Sequence, residues 1–258
     1  MISIANRSPR VSESEINSVP ADPRQSARDR AGSITDLGFS LAQARLEANH
    51  AIVEPEGNFE WNYRLFKRAL DIIGAVLFLI LFSPLLAGVF VVLWFTTKGR
   101  PLIRQERVGH LGRRFPMYKF RTMRLDAEKL QHLVRNEHNG PIFKNRHDPR
   151  ITRIGRILRR TSIDEMPQLV SVLVGHMSLV GPRPPLAKEV AQYKAWHRRR
   201  LAIKPGLTCL WQISGRSEIG FDQWVRMDIW YAQNQSLLTD LKLLVRTPMS
   251  VLSCRGAY

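Results

Sequence analysis

The chain is 258 residues long and carries 39 Lys and Arg against 22 Asp and Glu, a net charge of +17. The surplus is uneven, because residues 1–60 hold 6 Arg, no Lys and 9 acids, which leaves a net +20 on the other 198 residues. So large a balance calls for a polyanionic neighbour: nucleic acid, anionic lipid or a phosphorylated substrate. Cys209 and Cys254 are the two cysteines, far apart and outside any CxxC spacing. They argue against a zinc site or disulfide framework and read as free thiols in a reducing compartment. The sequence shows no internal repeat, no Gly-rich phosphate loop and no His cluster at metal spacing. Its first residues also lack the charged-then-apolar order of a secretory signal.

Residues 1–60 mix Ser, Arg, Asp, Asn and Pro with scattered apolar residues, too few to offset the entropy of ordering. They read as a mostly disordered tail, with a short helix near residues 39–51. From 72 to 95 the chain runs 24 residues without a charge, enough for a bilayer-spanning helix. Both flanks are basic (Arg64, Lys67 and Arg68 before, Lys98, Arg100 and Arg104 after), which assigns both ends to the cytoplasm. Ser83-Pro84 stands at the middle of the run. Pro removes a helical hydrogen bond, and a neighbouring hydroxyl can satisfy the freed carbonyl. On the residues alone two readings stay open. The helix enters, breaks at Ser83-Pro84 and leaves on the same side, or it spans the bilayer with a proline kink.

Residues 101–109 and 113–123 look like two strands joined by a Gly turn. Alternation in the second puts Tyr118, Phe120 and Thr122 on one face, with Met117, Lys119, Arg121 and Met123 on the other. Lys119 and Arg121 on a shared face would make a phosphate clamp; a solvated edge strand is the plain alternative. Residues 124–138 read as a polar helix and candidate lid. After Asp148-Pro149, Arg150, Arg153, Arg156 and Arg160 recur at helical spacing opposite Ile151, Ile154, Ile157 and Leu158. Such a helix suits an anionic membrane surface, or simply covers a core.

The stretch 161–185, TSIDEMPQLVSVLVGHMSLVGPRPP, organises the rest. Asp164 and Glu165 lie side by side among cations. Pro167 fits the first position of a helix that continues to Val174 and stops at Gly175. The acids then sit just outside the helix N-terminus, whose partial positive charge would keep them ionised. Making Ser162 the cap instead would leave Pro167 deep enough in the helix to clash. Adjacent acids are usually solvated surface, but Arg159 and Arg160 before them and Arg183 after them suit a phosphate-bearing substrate with a divalent metal. Gly181-Pro182-Arg183-Pro184-Pro185 forms a stiff loop able to hold one guanidinium still. Residues 189–202 repeat the basic amphipathic theme, and 204–216 read as a structural hairpin. Residues 221–247 read as helix, with Trp224, Trp230 and Tyr231 as core or headgroup-layer aromatics.

With KFRTM, RITRIGRILRRTSIDEMPQLVSVLVGHMSLVGPRPP and KPGLTCLWQISGR in order, residues 63–258 closely resemble the bacterial sugar transferase family. These are monotopic phosphoglycosyl transferases that move a hexose 1-phosphate from a UDP-sugar to polyprenyl (undecaprenyl) phosphate. The resemblance implies an α+β, mostly helical fold, with a re-entrant membrane helix broken at Ser83-Pro84 and a small cytosolic catalytic domain. That domain would have amphipathic interfacial helices and a few short strands. The implied division is a tail over 1–60, a membrane-associated helix over 61–100 and a catalytic domain over 101–258. Asp164 is implied as nucleophile and Glu165 as Mg²⁺ ligand. Lys119, Arg121, Arg159, Arg183 and Pro184 are the expected phosphate-binding residues. The expected partners are a UDP-hexose (galactose or glucose), the lipid carrier and the inner membrane, with no nucleic acid and with a homodimer kept as an option. The expected location is the bacterial cytoplasmic membrane, catalytic domain facing the cytoplasm. Two positions depart from the pattern. His176 stands where the family usually has Asp, which implies a differently supported loop. Cys209 stands where it usually has Gly, which fits only at a negative φ.

Overall fold

The computed structural model describes residues 61–137, 140–143, 145–214 and 219–252. The expected tail, Gly215-Arg216 and Cys254 lie outside them. The architecture is mostly helical with four short strands among the described residues, in line with the α+β expectation.

Helix α1, Trp61–Thr96, is 36 residues long and runs through Pro84. Pro84 has no amide to give to the carbonyl of Ile80, and the Ser83 hydroxyl donates to that carbonyl instead, at 2.8 Å. The site expected as a break therefore lies inside one helical element. Only 6% of the most apolar window of α1 is buried by protein, and by length and composition the helix can cross a membrane. One stripe does face the rest of the chain. Asp71 and Ala75 are buried with Leu79 against the larger core, while Leu93, with Leu86 and Val89, packs on Phe120 and Leu158. Gly99, at φ +77°, ends the run, its amide donating to the Trp94 carbonyl at 2.8 Å.

Polar bolts fix the N-terminal third of α1. Asp71 Oδ1 accepts from the Ser178 hydroxyl at 2.9 Å and the Leu179 amide at 2.8 Å. Lys67 Nζ lies 2.8 Å from Asp240 Oδ2. The Arg68 guanidinium donates to the Val172 and Leu173 carbonyls, both at 2.7 Å, satisfying the C-terminal end of the helix that follows the acids. Lys67 and Arg68, read from sequence as flanking charge, thus serve as structural fasteners as well.

Strands β1 (Leu102–Val108) and β2 (Arg114–Phe120) pair antiparallel, as expected, with Leu102 opposite Phe120. Residues 124–137 do not form the expected helix. They make turns and a single 3₁₀ turn, Gln131–Leu133. Ala127 and Val134 are buried from these turns, and polar side chains bond locally, as in Arg124 to Asp126 and Asn136 to the Ile142 carbonyl at 3.0 Å.

Helix α2, Arg153–Arg160, starts at Thr152, whose hydroxyl accepts from the Gly155 amide at 2.9 Å. Gly155 is required there: a Cβ would stand 1.9 Å from the Thr122 carbonyl oxygen, so α2 rests directly on backbone. Arg150, expected on this helix, precedes it and is buried against Asp148 at 2.6 Å. Beyond α2 come the 3₁₀ turn Ile163–Gln168, helix α3 (Leu169–Val174) and strand β3 (Ser178–Val180). Pro167 lies inside the 3₁₀ turn instead of opening α3, and Gly175 caps α3 at φ +90°, as expected.

The short helix α4 (Ala187–Val190) and a 3₁₀ segment, Ala195–Ala202, replace the expected amphipathic helix; Arg200 within it is buried. Strand β4 (Gly206–Thr208) pairs parallel with β3, Ser178 opposite Gly206, which corrects the expected hairpin. The cause is a close backbone approach, since a Cβ on Gly206 would meet the Gly181 nitrogen at 2.0 Å. Helices α5 (Leu210–Ile213), α6 (Phe221–Gln233) and α7 (Leu237–Leu252) complete the fold. Trp224, Trp230 and Tyr231 are core residues, and Trp211 stacks on Trp224 with centroids 4.3 Å apart.

Candidate active site

Asp164 and Glu165 sit on the 3₁₀ turn between α2 and α3. That turn is seated on α1 through Ile163, which packs with Leu93, Phe120 and Leu158. Asp164, Glu165, Lys119, Arg121, Arg159, Arg183 and Pro184 all line one cavity of about 640 Å³. Ser83 and Pro84 lie away from it on α1.

Lys119 Nζ is 2.6 Å from Glu165 Oε1. Arg159 donates through Nε to the Thr122 hydroxyl at 2.9 Å, a bond made available by the seating of Gly155 on Thr122. Arg121 behaves differently from expectation. Strand β2 ends at Phe120, and the Arg121 guanidinium turns to the carbonyls of Arg100, at 2.8 Å, and Leu102, so the clamp with Lys119 does not form.

The loop carrying Arg183 is held by four consecutive carbonyls. Gly206 N donates to Pro182 O at 2.9 Å, Arg200 to Arg183 O at 3.1 Å, Arg107 to Pro184 O at 2.9 Å and Val108 N to Pro185 O at 2.9 Å. Arg183 itself stands over the Trp224 ring at 5.6 Å, with Glu189 at 3.7 Å. Sequence reasoning missed Arg107 and Arg200 as supports. Arg107 looked like one charge on an alternating strand, and Arg200 like the last of three surface arginines.

The expected helix-end effect on the acids does not hold for both. Burial, and then the charge of Glu165, pushes the Asp164 carboxyl up to about 7, against the pull of Lys119 and Arg159. Burial also works against the Glu165 anion, but Lys119, by charge and hydrogen bond, then Arg183 and Arg107, hold it below the usual carboxylate range. Two adjacent acids are thus driven apart, one kept ionised and one balanced near neutrality.

The donor set suits a hard divalent cation. Lys119 occupies one oxygen of Glu165, and Mg²⁺ is ordinarily held by one or two carboxylates with phosphate oxygens completing its shell. Among the described residues no three His, Cys, Asp or Glu side chains gather into a self-sufficient cage.

The two departures resolve differently. Cys209 sits at φ −149°, where a side chain is tolerated, and its amide donates to Gln212 Oε1 at 3.0 Å. His176 is exposed and packs its ring 5.5 Å from that of Phe115.

A model of the bacterial sugar transferase family matches residues 62–254. The chain belongs to this family. It is 45% identical over 203 residues to galactosyl transferase CpsE of Streptococcus agalactiae, a match covering 77% of this chain and 45% of the relative. It is 42% identical over 207 residues to an undecaprenyl-phosphate galactose phosphotransferase of Salmonella typhimurium, covering 76% of this chain and 42% of the relative. A UDP-glucose:undecaprenyl-phosphate glucose-1-phosphate transferase of Caulobacter vibrioides is 39% identical over 202 residues, covering 75% and 72%. The bacterial sugar transferase match therefore spans less than half the length of the first two relatives.

Proposed function

We propose that this chain transfers a hexose 1-phosphate from a UDP-hexose to undecaprenyl phosphate, with release of UMP. The observation that carries the reading is a buried carboxyl, Asp164, beside an ionised one in a cavity edged by Lys119, Arg159 and Arg183. Names of the relatives support galactose or glucose as the sugar and a polyprenyl phosphate as the acceptor.

In the first step an Asp164 oxygen attacks the sugar-bearing phosphorus, the P–O bond to UMP breaks, and an aspartyl phosphosugar forms. In the second, an oxygen of the lipid phosphate attacks the same phosphorus and returns Asp164 as a carboxylate. Lys119, Arg159 and Arg183 hold the phosphate oxygens and offset the charge that develops on them. Mg²⁺ on Glu165, when bound, supplies further positive charge to those oxygens. The proposed division is a tail over 1–60, a membrane-associated helix over 61–100 and a catalytic unit over 101–258. Helix α1, unbroken through Ser83-Pro84, enters and leaves the cytoplasmic face of the inner membrane, with Pro84 as the position that can kink it. Packing of both its ends on one body, and its basic flanks, support that course.

A second reading, direct transfer with Asp164 as general base, draws support from a carboxyl poised near working pH. Labelled UMP separates the two. Exchange into UDP-galactose or UDP-glucose without acceptor lipid is expected from the two-step route. Lipid-dependent UMP release without exchange would favour the direct route, and no UMP release from any UDP-hexose would overturn the function.

The pH dependence follows from the direction of the Asp164 shift. Its carboxyl holds a proton below about 7 and is the attacking anion above it. For the half-reaction with UDP-sugar alone, kcat/KM is expected to rise as pH passes through that region and then level off. A profile flat from about pH 5 to about pH 8 would contradict a rate-limiting role for that ionisation.

A further inference from the structure

Gln168 closes the 3₁₀ turn that bears Asp164 and Glu165. Its side chain lines the same cavity, and the residue is only 3% exposed. Its amide nitrogen has no hydrogen-bond partner. Of the other polar groups lining the cavity, Glu165 is met by Lys119 and Arg159 by Thr122, while Arg107 reaches the Pro184 carbonyl through one terminal nitrogen and leaves its Nε unpartnered. A buried donor left unmade weakens a fold, so its persistence beside a reacting carboxyl calls for an acceptor that arrives with the ligand.

Resting on the function proposed above, we propose that the Gln168 carboxamide is a substrate-binding group that donates to a phosphoryl oxygen of the sugar-bearing phosphate at Asp164. An amide nitrogen only donates, and a phosphodiester oxygen only accepts, so each completes the other. The terminal torsion of Gln is broad and roughly two-fold, so a half-turn can bring the buried amide nitrogen to the cavity when the phosphate arrives, the new bond offsetting burial of the amide oxygen. A neutral donor also adds hold on the phosphate without a further cation, in a site where Lys119, Arg159 and Arg183 already supply charge. The bond tightens as negative charge builds on the phosphoryl oxygens, which makes Gln168 a contributor to rate as well as to binding.

The test uses the full chain in detergent or lipid nanodiscs, with Gln168→Met and Gln168→Glu. The first keeps length and removes the donor; the second keeps shape and puts an acceptor in its place. Melting without ligand and UMP release with UDP-galactose, UDP-glucose and undecaprenyl phosphate are both measured. Gln168→Met is expected to melt at the wild-type temperature or above, because it deletes an unmade donor. Its kcat/KM is expected to fall about 100-fold, carried mainly by kcat. Gln168→Glu is expected to fall further, by repulsion of the phosphate. A Met variant that melts lower yet turns over normally would assign Gln168 to the scaffold and overturn the proposal. So would a Glu variant with wild-type kcat/KM, even if the Met variant fails to fold. A wild-type protein that releases no UMP would instead overturn the proposed function, and this inference with it.

Discussion

Asp164→Asn should lower turnover by at least about 10³-fold and eliminate any covalent sugar-phosphate adduct, while the protein still folds. The side chains are nearly isosteric, and the amide cannot attack phosphorus. Stability moves the other way from activity. Burial and then Glu165 disfavour the Asp164 anion, which raises its pKa above the unfolded value. Between the unfolded value and about 7 the folded state binds the extra proton, so stability contributed by that proton is lost as pH rises through the folded pKa. A neutral Asn escapes this loss, and the variant is expected to melt at the same temperature or higher above pH 7. Intact-protein mass spectrometry after incubation with UDP-sugar reads the adduct, and UMP release reads turnover. An adduct on the Asn variant would overturn the assignment of Asp164 as nucleophile.

Asp228→Ala should cost about 3–5 kcal/mol of stability, because it strands a buried guanidinium. Arg200 and Asp228 lie 2.6 Å apart with side chains 1% and 2% exposed. Arg200 also donates to the Tyr193 hydroxyl at 2.9 Å and to the Arg183 carbonyl, and stands over the Trp224 ring at 5.2 Å. Removing Asp228 therefore loosens the loop that aims Arg183 into the cavity. Chemical unfolding in detergent measures the first effect, and KM for the UDP-sugar measures the second. Asp228→Ala, Arg200→Met together should recover much of the stability, since an apolar pair of similar volume avoids the stranded charge, but should not recover KM. Full stability in the single variant would mean that the pair is not the keystone described here.

Local rules read correctly where the answer lay within a few residues. The 24-residue uncharged run became α1, the Gly turn joined β1 to β2, and Gly175 stopped α3. The convergence of Lys119, Arg159, Asp164, Glu165 and Arg183 on one cavity followed the order of the family's motifs. What failed depended on distant partners. The hairpin over 204–216 became a parallel strand because Gly206 meets Gly181 across the fold, and no local pattern encodes that. The arginine rhythm of 150, 153, 156 and 160 suggested one helix face, yet Arg150 precedes α2 and belongs to Asp148. Charge on a helical period does not say which residues the core will claim. Arg121 shows the same limit at a strand end, where pleat alternation ceases with the last paired residue, Phe120.

Helix α1 is pinned near its start by Lys67, Arg68 and Asp71 and near its end by Leu93, and Ile163 ties the acid-bearing turn to that second pin. On the proposed function, the draught of the molecule in a bilayer would be dictated by the polypeptide, and with it the altitude of the cavity above the headgroups. Lengthening or shortening α1 between its pins would then shift that altitude and detune delivery of the proposed carrier phosphate, without altering any side chain that touches a reactant.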